Sequence, residues 1–191
     1  VLILRAPVAR IGWAGGHLVR DGRETLSLEA ALAAEDARVA ADWEWCWHLR
    51  RVSQYHEQLP AVFAAFEREQ VLVLDFADLR DDPGALLARL HRFLGVEPRT
   101  PRAADKVVNP SGVARSRALH RFLTQPHAGK DLLRPLVPDR LVQATYRRAL
   151  ARNLKPLPAM DGELRTALAD ELRPVAEGVR DLTGLDTSRW C

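Results

Sequence analysis

Residues 1–13 read VLILRAPVARIGW. The unbroken apolar run Val1 to Leu4 has a counterpart in Val71 to Phe76, VLVLDF, and both suit short strands buried in a parallel sheet. The long, mostly helical pattern between them is ample for a crossover connection. Arg5 stands where the first strand stops, and Pro7 is placed to begin a helix. In open α/β sheets, ligands gather beyond the carboxyl ends of the strands, where the following helices point their amino termini. A guanidinium fork beside a helix start suits a phosphate. Read from the residues alone, Arg5 fits an internal salt bridge equally well.

The chain has 191 residues, 47% of them hydrophobic and 28% charged, enough for one sizeable core and a single domain over 1–191. Within it we expect an α/β part over 1–96 and a loop plus helical part over 97–191. No apolar run approaches the roughly 20 residues that span a bilayer. The two cysteines, Cys46 and Cys191, fit neither a disulfide framework nor a zinc pattern, which points to a reducing, cytoplasmic compartment. The histidines lack metal-like spacing, so no metal is expected. A net charge of +3 is modest, and scattered arginines argue against a nucleic-acid partner.

Helices are marked by spacing and by caps. In DDPGALLARLHRFLG, Asp81 or Asp82 can cap, Pro83 suits the first turn, Leu86, Leu87, Leu90, Phe93 and Leu94 share a face, and Gly95 ends the helix. Ser27 can cap LEAALAAE. Tyr55, Leu59, Val62, Phe63 and Phe66 form a stripe interrupted by Pro60. Pro138 can start a helix through Leu150, and another runs from Leu164 to Leu182, bent at Pro174 and stopped near Gly184. Between the two parts, EPRTPRAADKVVNPSGVARSR is a long irregular connection and a candidate binding loop. Trp43, Trp45 and Trp47 alternate, as in a strand or a stacking platform; a buried aromatic edge is the weightier reading.

Several of these stretches resemble one family. LRAPVAR continuing to HLVRDGRE is similar to the 3′-phosphate-binding segment of sulfotransferases that use 3′-phosphoadenosine 5′-phosphosulfate (PAPS). DGRETLSLEAALAAE, WEWCWHLRRVSQYHEQL, EREQVLVLDFADLRDDPGALLARLHRFLGV, KVVNPSGVARSR and LTGLDTSRW resemble later family segments in the same order, so the likeness extends over nearly the whole chain. The resemblance implies a P-loop NTPase-like parallel sheet flanked by helices, incomplete at its amino-terminal side, with a mostly helical carboxyl-terminal part. It implies transfer of a sulfuryl group from PAPS to a hydroxyl or amine on a small-molecule, glycan or lipid acceptor, without a metal.

Carried over by position, Arg5 is the residue that grips the 3′-phosphate. Eight residues on, where the family has a serine, stands Trp13. Its indole donates one hydrogen bond at most, and it is read either as a ring beside the adenine or as a structural residue. Arg115 resembles a basic contribution from the family's late loop, against the alternative of a surface arginine bonded to that loop's own carbonyls. Ser111 and Gly112 could offer a hydroxyl and an open backbone N–H to a phosphate, or form an ordinary turn. The phosphosulfate loop and the general base belong, in the family, to a region ahead of Val1, so the catalytic residues are expected there and the chain alone is expected to be inactive. Two other readings stay open: a P-loop-type kinase, and a basic helical module binding nucleic acid or protein through RSRALHRF and YRRALAR.

Overall fold

The computed structural model describes residues 1–97, 113–124, 146, 148–150, 152–156 and 158–190. They form a mixed α/β arrangement that is mostly helical. Strand β1 (Leu2–Leu4) pairs in parallel with β2 (Val73–Asp75), with Leu2 opposite Val73 and Leu4 opposite Asp75. The parallel sheet has these two strands among the described residues, fewer than the resemblance implies. All three residues of β2 are buried, as expected of a covered strand. On β1, Leu4 is buried but Ile3 remains 47% exposed, so only the face bearing Leu2 and Leu4 is packed.

The crossover is built from four α-helices and three short 3₁₀ turns. Helix α1 (Pro7–Arg20) starts at its proline and buries Val8, Ile11 and Leu18. Helix α2 (Leu28–Ala33) is capped by Ser27, whose Oγ accepts from the Ala30 N–H at 3.2 Å. Helix α3 (Glu35–Ala40) follows, and α4 (Tyr55–Ala65) continues through Pro60. The stripe on α4 is shorter than its spacing predicts: Phe66 leaves the helix in an extended conformation and is 57% exposed.

Two buried carboxylates tie the connections down. Glu24 forms an ion pair with Arg38 at 2.6 Å and accepts the backbone N–H groups of Thr25 and Leu26. Burial raises the Glu24 pKa, but these three donors outweigh it and hold the carboxyl below its ordinary value. Glu35, also buried, accepts the backbone N–H groups of Arg50 and Arg51, each at 2.9 Å.

After β2 come α5 (Phe76–Asp81) and α6 (Pro83–Leu94). Helix α6 has the expected limits, with Asp82 as cap and Gly95 left-handed at its end. Of its predicted apolar face only Leu86 is buried, and Leu94 is 55% exposed. A second, antiparallel pair was not foreseen: β3 (Val113–Ala114) with β4 (Leu154–Lys155), flanking α7 (Arg117–Thr124). The helix predicted from Leu164 to Leu182 resolves into two, α8 (Gly162–Glu171) and α9 (Arg173–Thr183), with Pro174 in the first turn of the second. Gly184 stops α9 at φ +70°, a conformation that a side chain disfavours. Helix α9 packs on α4, and Val175 and Val179 join Ile11, Leu49 and Leu168 in the core. Most of the predicted binding loop, and most of the helix predicted from Pro138, lie outside the described residues.

Candidate functional site

Arg5 leaves β1 at its carboxyl end, and aromatic rings border its guanidinium. Its Cζ lies 3.8 Å from the centroid of Phe76, the first residue after β2, and 5.2 Å from that of Trp13 on α1. A guanidinium stacked on a ring is held by its face, while its N–H edge stays available for in-plane hydrogen bonds. Among the described residues that edge has no hydrogen-bond acceptor and no carboxylate partner. The salt-bridge alternative is therefore not realised there. Burial pushes the Arg5 pKa down; the Tyr55 phenol acts in the opposite direction and Arg80 adds to the lowering.

The start of α1 adds to the same field. Ala6 offers no side-chain cap, Pro7 occupies the first turn, and no acidic residue stands in that turn. Its free N–H groups and dipole favour negative charge beside Arg5. The second arginine of this turn, Arg10, is already engaged, donating to the Leu49 carbonyl and the Ser53 hydroxyl. Tyr55 fixes the backbone of the site, its hydroxyl donating to the Arg5 carbonyl at 3.1 Å.

Trp13 is 39% exposed and has three kinds of neighbour. It borders Arg5, and its ring lies 4.0 Å from that of His17 one turn along α1. It also lines a cavity of about 700 Å³ between α1, the start of α2 and residues 158–165, walled largely by apolar side chains such as Leu28, Leu49, Met160 and Leu164. Arg5 is not one of the cavity's walls. Among the described residues the buried Nε2 of His17 has no hydrogen-bond partner, and burial, Arg20 and Arg5 together lower its pKa, with Asp21 opposing them.

The other predicted site residues fare differently. Arg115 is exposed; its backbone N–H donates to the Asn153 carbonyl and its Nε to the Leu154 carbonyl at 3.4 Å, acceptors at β4 and not carbonyls of its own loop. Strand β3, just before it, packs against α1. Ser111 and Gly112 lie outside the described residues. The alternating tryptophans form no strand: Trp45–Trp47 is a 3₁₀ turn, which sends successive side chains about 120° apart. Trp43 and Trp45 are 44% and 69% exposed, so the expected buried aromatic edge reduces to the half-buried Cys46, Trp47 and His48.

Phe76, Asp75 and Trp190 had not been singled out from the sequence. Asp75 carried the one available signal, a carboxylate at the end of an otherwise apolar strand.

No protein-family model matches the chain, and no curated protein does. Among solved structures, it is similar to the crystal structure of a sulfotransferase from Alicyclobacillus acidocaldarius. The TM-score is 0.65 at 26% sequence identity, covering 98% of this chain and 55% of that one. The fold is sulfotransferase-like. The chain spans about half the length of that structure. Among the described residues no helix is long and apolar enough to cross a membrane, and no group of three or more His, Cys, Asp or Glu side chains could hold a metal.

Proposed function

We propose that the chain belongs to a sulfotransferase that moves a sulfuryl group from PAPS to a hydroxyl or amine, and that Arg5 grips the 3′-phosphate of the donor. The observation that carries this reading is the Arg5 guanidinium at the end of β1, its Cζ 3.8 Å from the centroid of Phe76 and without a hydrogen-bonding or carboxylate partner among the described residues, two residues before the uncapped α1. The structural likeness to a sulfotransferase over 98% of the chain supports it. Both elements that suit a phosphate, a forked cation and the free N–H groups of a helix start, lie two residues apart in the chain.

The residues present fit the donor's phosphate with one departure. At the position where the family's hydroxyl would donate, Trp13 brings a ring, and a single charge-assisted hydrogen bond of about 1.5–3 kcal/mol is forgone. Sulfuryl transfer asks a protein mainly for alignment and for stabilisation of charge on the leaving oxygen. In this chain Arg5 and α1 would anchor the nucleotide, and the apolar cavity bordered by Trp13 would admit the hydrophobic body of an acceptor.

Thermal unfolding with added nucleotides tests the reading. Adenosine 3′,5′-bisphosphate should raise the midpoint while ATP at the same concentration does not. Stabilisation by ATP alone would favour the kinase alternative, and salt-sensitive binding of DNA or RNA the basic helical module. Transfer of label from PAPS by the purified chain should be undetectable, because its 191 residues hold no glycine-rich loop ending in lysine and a hydroxyl residue; clear turnover would refute this.

A further inference from the structure

The closing turn of the chain, Ser188–Trp190, reaches back to the carboxyl end of β2. Asp75 there is 1% exposed and fully engaged. One oxygen accepts the Ala77 N–H at 2.9 Å and so caps α5; the other accepts the Trp190 indole N–H at 3.1 Å and faces Arg189 at 3.5 Å. Arg189 also forms ion pairs with Asp78 and Asp81 on α5. A carboxylate this deep is costly unless its charge and lone pairs are met, and Arg189 is its ion-pair partner among the described residues. The turn is itself anchored: Thr187 Oγ1 donates to the Ala176 carbonyl at 2.9 Å, and Trp190 is 5% exposed.

Two paths lead from this turn to Arg5. Along the first, Asp75 fixes the start of α5, and the next residue, Phe76, is the ring on which the Arg5 guanidinium rests. Along the second, the Trp190 ring stands edge-on to Tyr55, centroids 6.0 Å apart at 67°, and the Tyr55 hydroxyl holds the Arg5 carbonyl. We infer that Ser188–Trp190 is a positioning latch for the anion site: Trp190 and Arg189 touch no ligand, but by clamping Asp75 and Tyr55 they set the floor and the backbone of Arg5. This rests on the reading of Arg5 as the anion-binding residue, although the coupling itself can be measured without a ligand.

The experiment follows the Arg5 Nε–Hε resonance by NMR in the ligand-free chain, assigned by its loss in Arg5→Lys. Stacking on Phe76 should displace it from the position of a free arginine. Trp190→Phe keeps a ring against Tyr55 but removes the indole donor; Arg189→Gln removes the cation from a partly exposed position and leaves the core packing intact. Both should move the resonance toward the free-arginine position and weaken adenosine 3′,5′-bisphosphate about fivefold or more. Arg68→Gln is the control. It loosens the same end of α9, since Arg68 donates to the Thr183 and Val71 carbonyls without contacting Asp75, and it should leave Arg5 unchanged.

An unmoved resonance in folded Arg189→Gln, or an equal shift in Arg68→Gln, overturns the latch. If Trp190→Phe does not fold, Arg189→Gln decides alone. Should the wild-type chain bind no bisphosphate while the two latch variants still displace Arg5 selectively, the latch stands and the proposed function falls.

Discussion

Replacing Trp13 by serine restores the hydroxyl that the family pattern places eight residues after the arginine, and it should trade stability for affinity. Trp13 is 39% exposed, so about 60% of it is covered. With some 250 Å² for a whole tryptophan and about 25 cal/mol per Å², the lost burial amounts to at most ~4 kcal/mol. The 5.2 Å approach to Arg5 and the 4.0 Å contact with His17 are lost with the ring. Arg5 nevertheless keeps its nearer support, the Phe76 face at 3.8 Å, so its orientation should survive. A hydroxyl donating to a bound phosphate adds about 1.5–3 kcal/mol, roughly ten- to a hundredfold in affinity. We therefore expect Trp13→Ser to unfold about 2–4 kcal/mol more easily in urea while binding adenosine 3′,5′-bisphosphate more tightly by calorimetry. A folded variant that binds at least tenfold more weakly would refute the reasoning, because it would make the indole itself part of the nucleotide site.

Other substitutions probe the scaffold. Glu24→Gln leaves Arg38 buried without its counter-charge and should cost about 3–5 kcal/mol, whereas the double change with Arg38→Met should cost less than Glu24→Gln alone; equal costs in urea unfolding would contradict the buried pair. His17 has a lowered pKa when folded, so the unfolded chain takes up its proton first and stability should fall as the pH drops through about 6.5. His17→Asn should flatten the unfolding free energy over that window, and an unchanged pH profile would remove His17 as its cause. Gly184→Ala places a side chain at φ +70° and should cost about 1 kcal/mol, seen as a lower unfolding midpoint.

The two strands and those helix limits marked by a cap, a proline or a glycine were legible because they depend on local chemistry. Apolar runs marked β1 and β2, Ser27 and Asp82 capped as their side chains dictate, and Gly184 stopped α9. Arg5 was legible as a candidate because strand end and helix start lie two residues apart. What surrounds Arg5 was not legible, since Phe76 and Tyr55 reach it across sequence separations that no periodicity reports. Trp190 is further still from Asp75, and its indole donor becomes meaningful only once the end of β2 is placed in space. The tryptophan stretch misled for a local reason: alternation imitates a strand, but a 3₁₀ turn exposes Trp45. The β3–β4 pair is two residues long on each side, too short for alternation to signal.

The central claim is that the Arg5 fork receives a nucleotide phosphate, and calorimetric titration of adenosine 3′,5′-bisphosphate into the wild-type chain and Arg5→Met tests it most directly. The account predicts saturable binding by the wild type and a loss of about ten- to a hundredfold in the variant, with the variant still folded. Equal affinities for the two folded proteins, or no binding by the wild type, would contradict it.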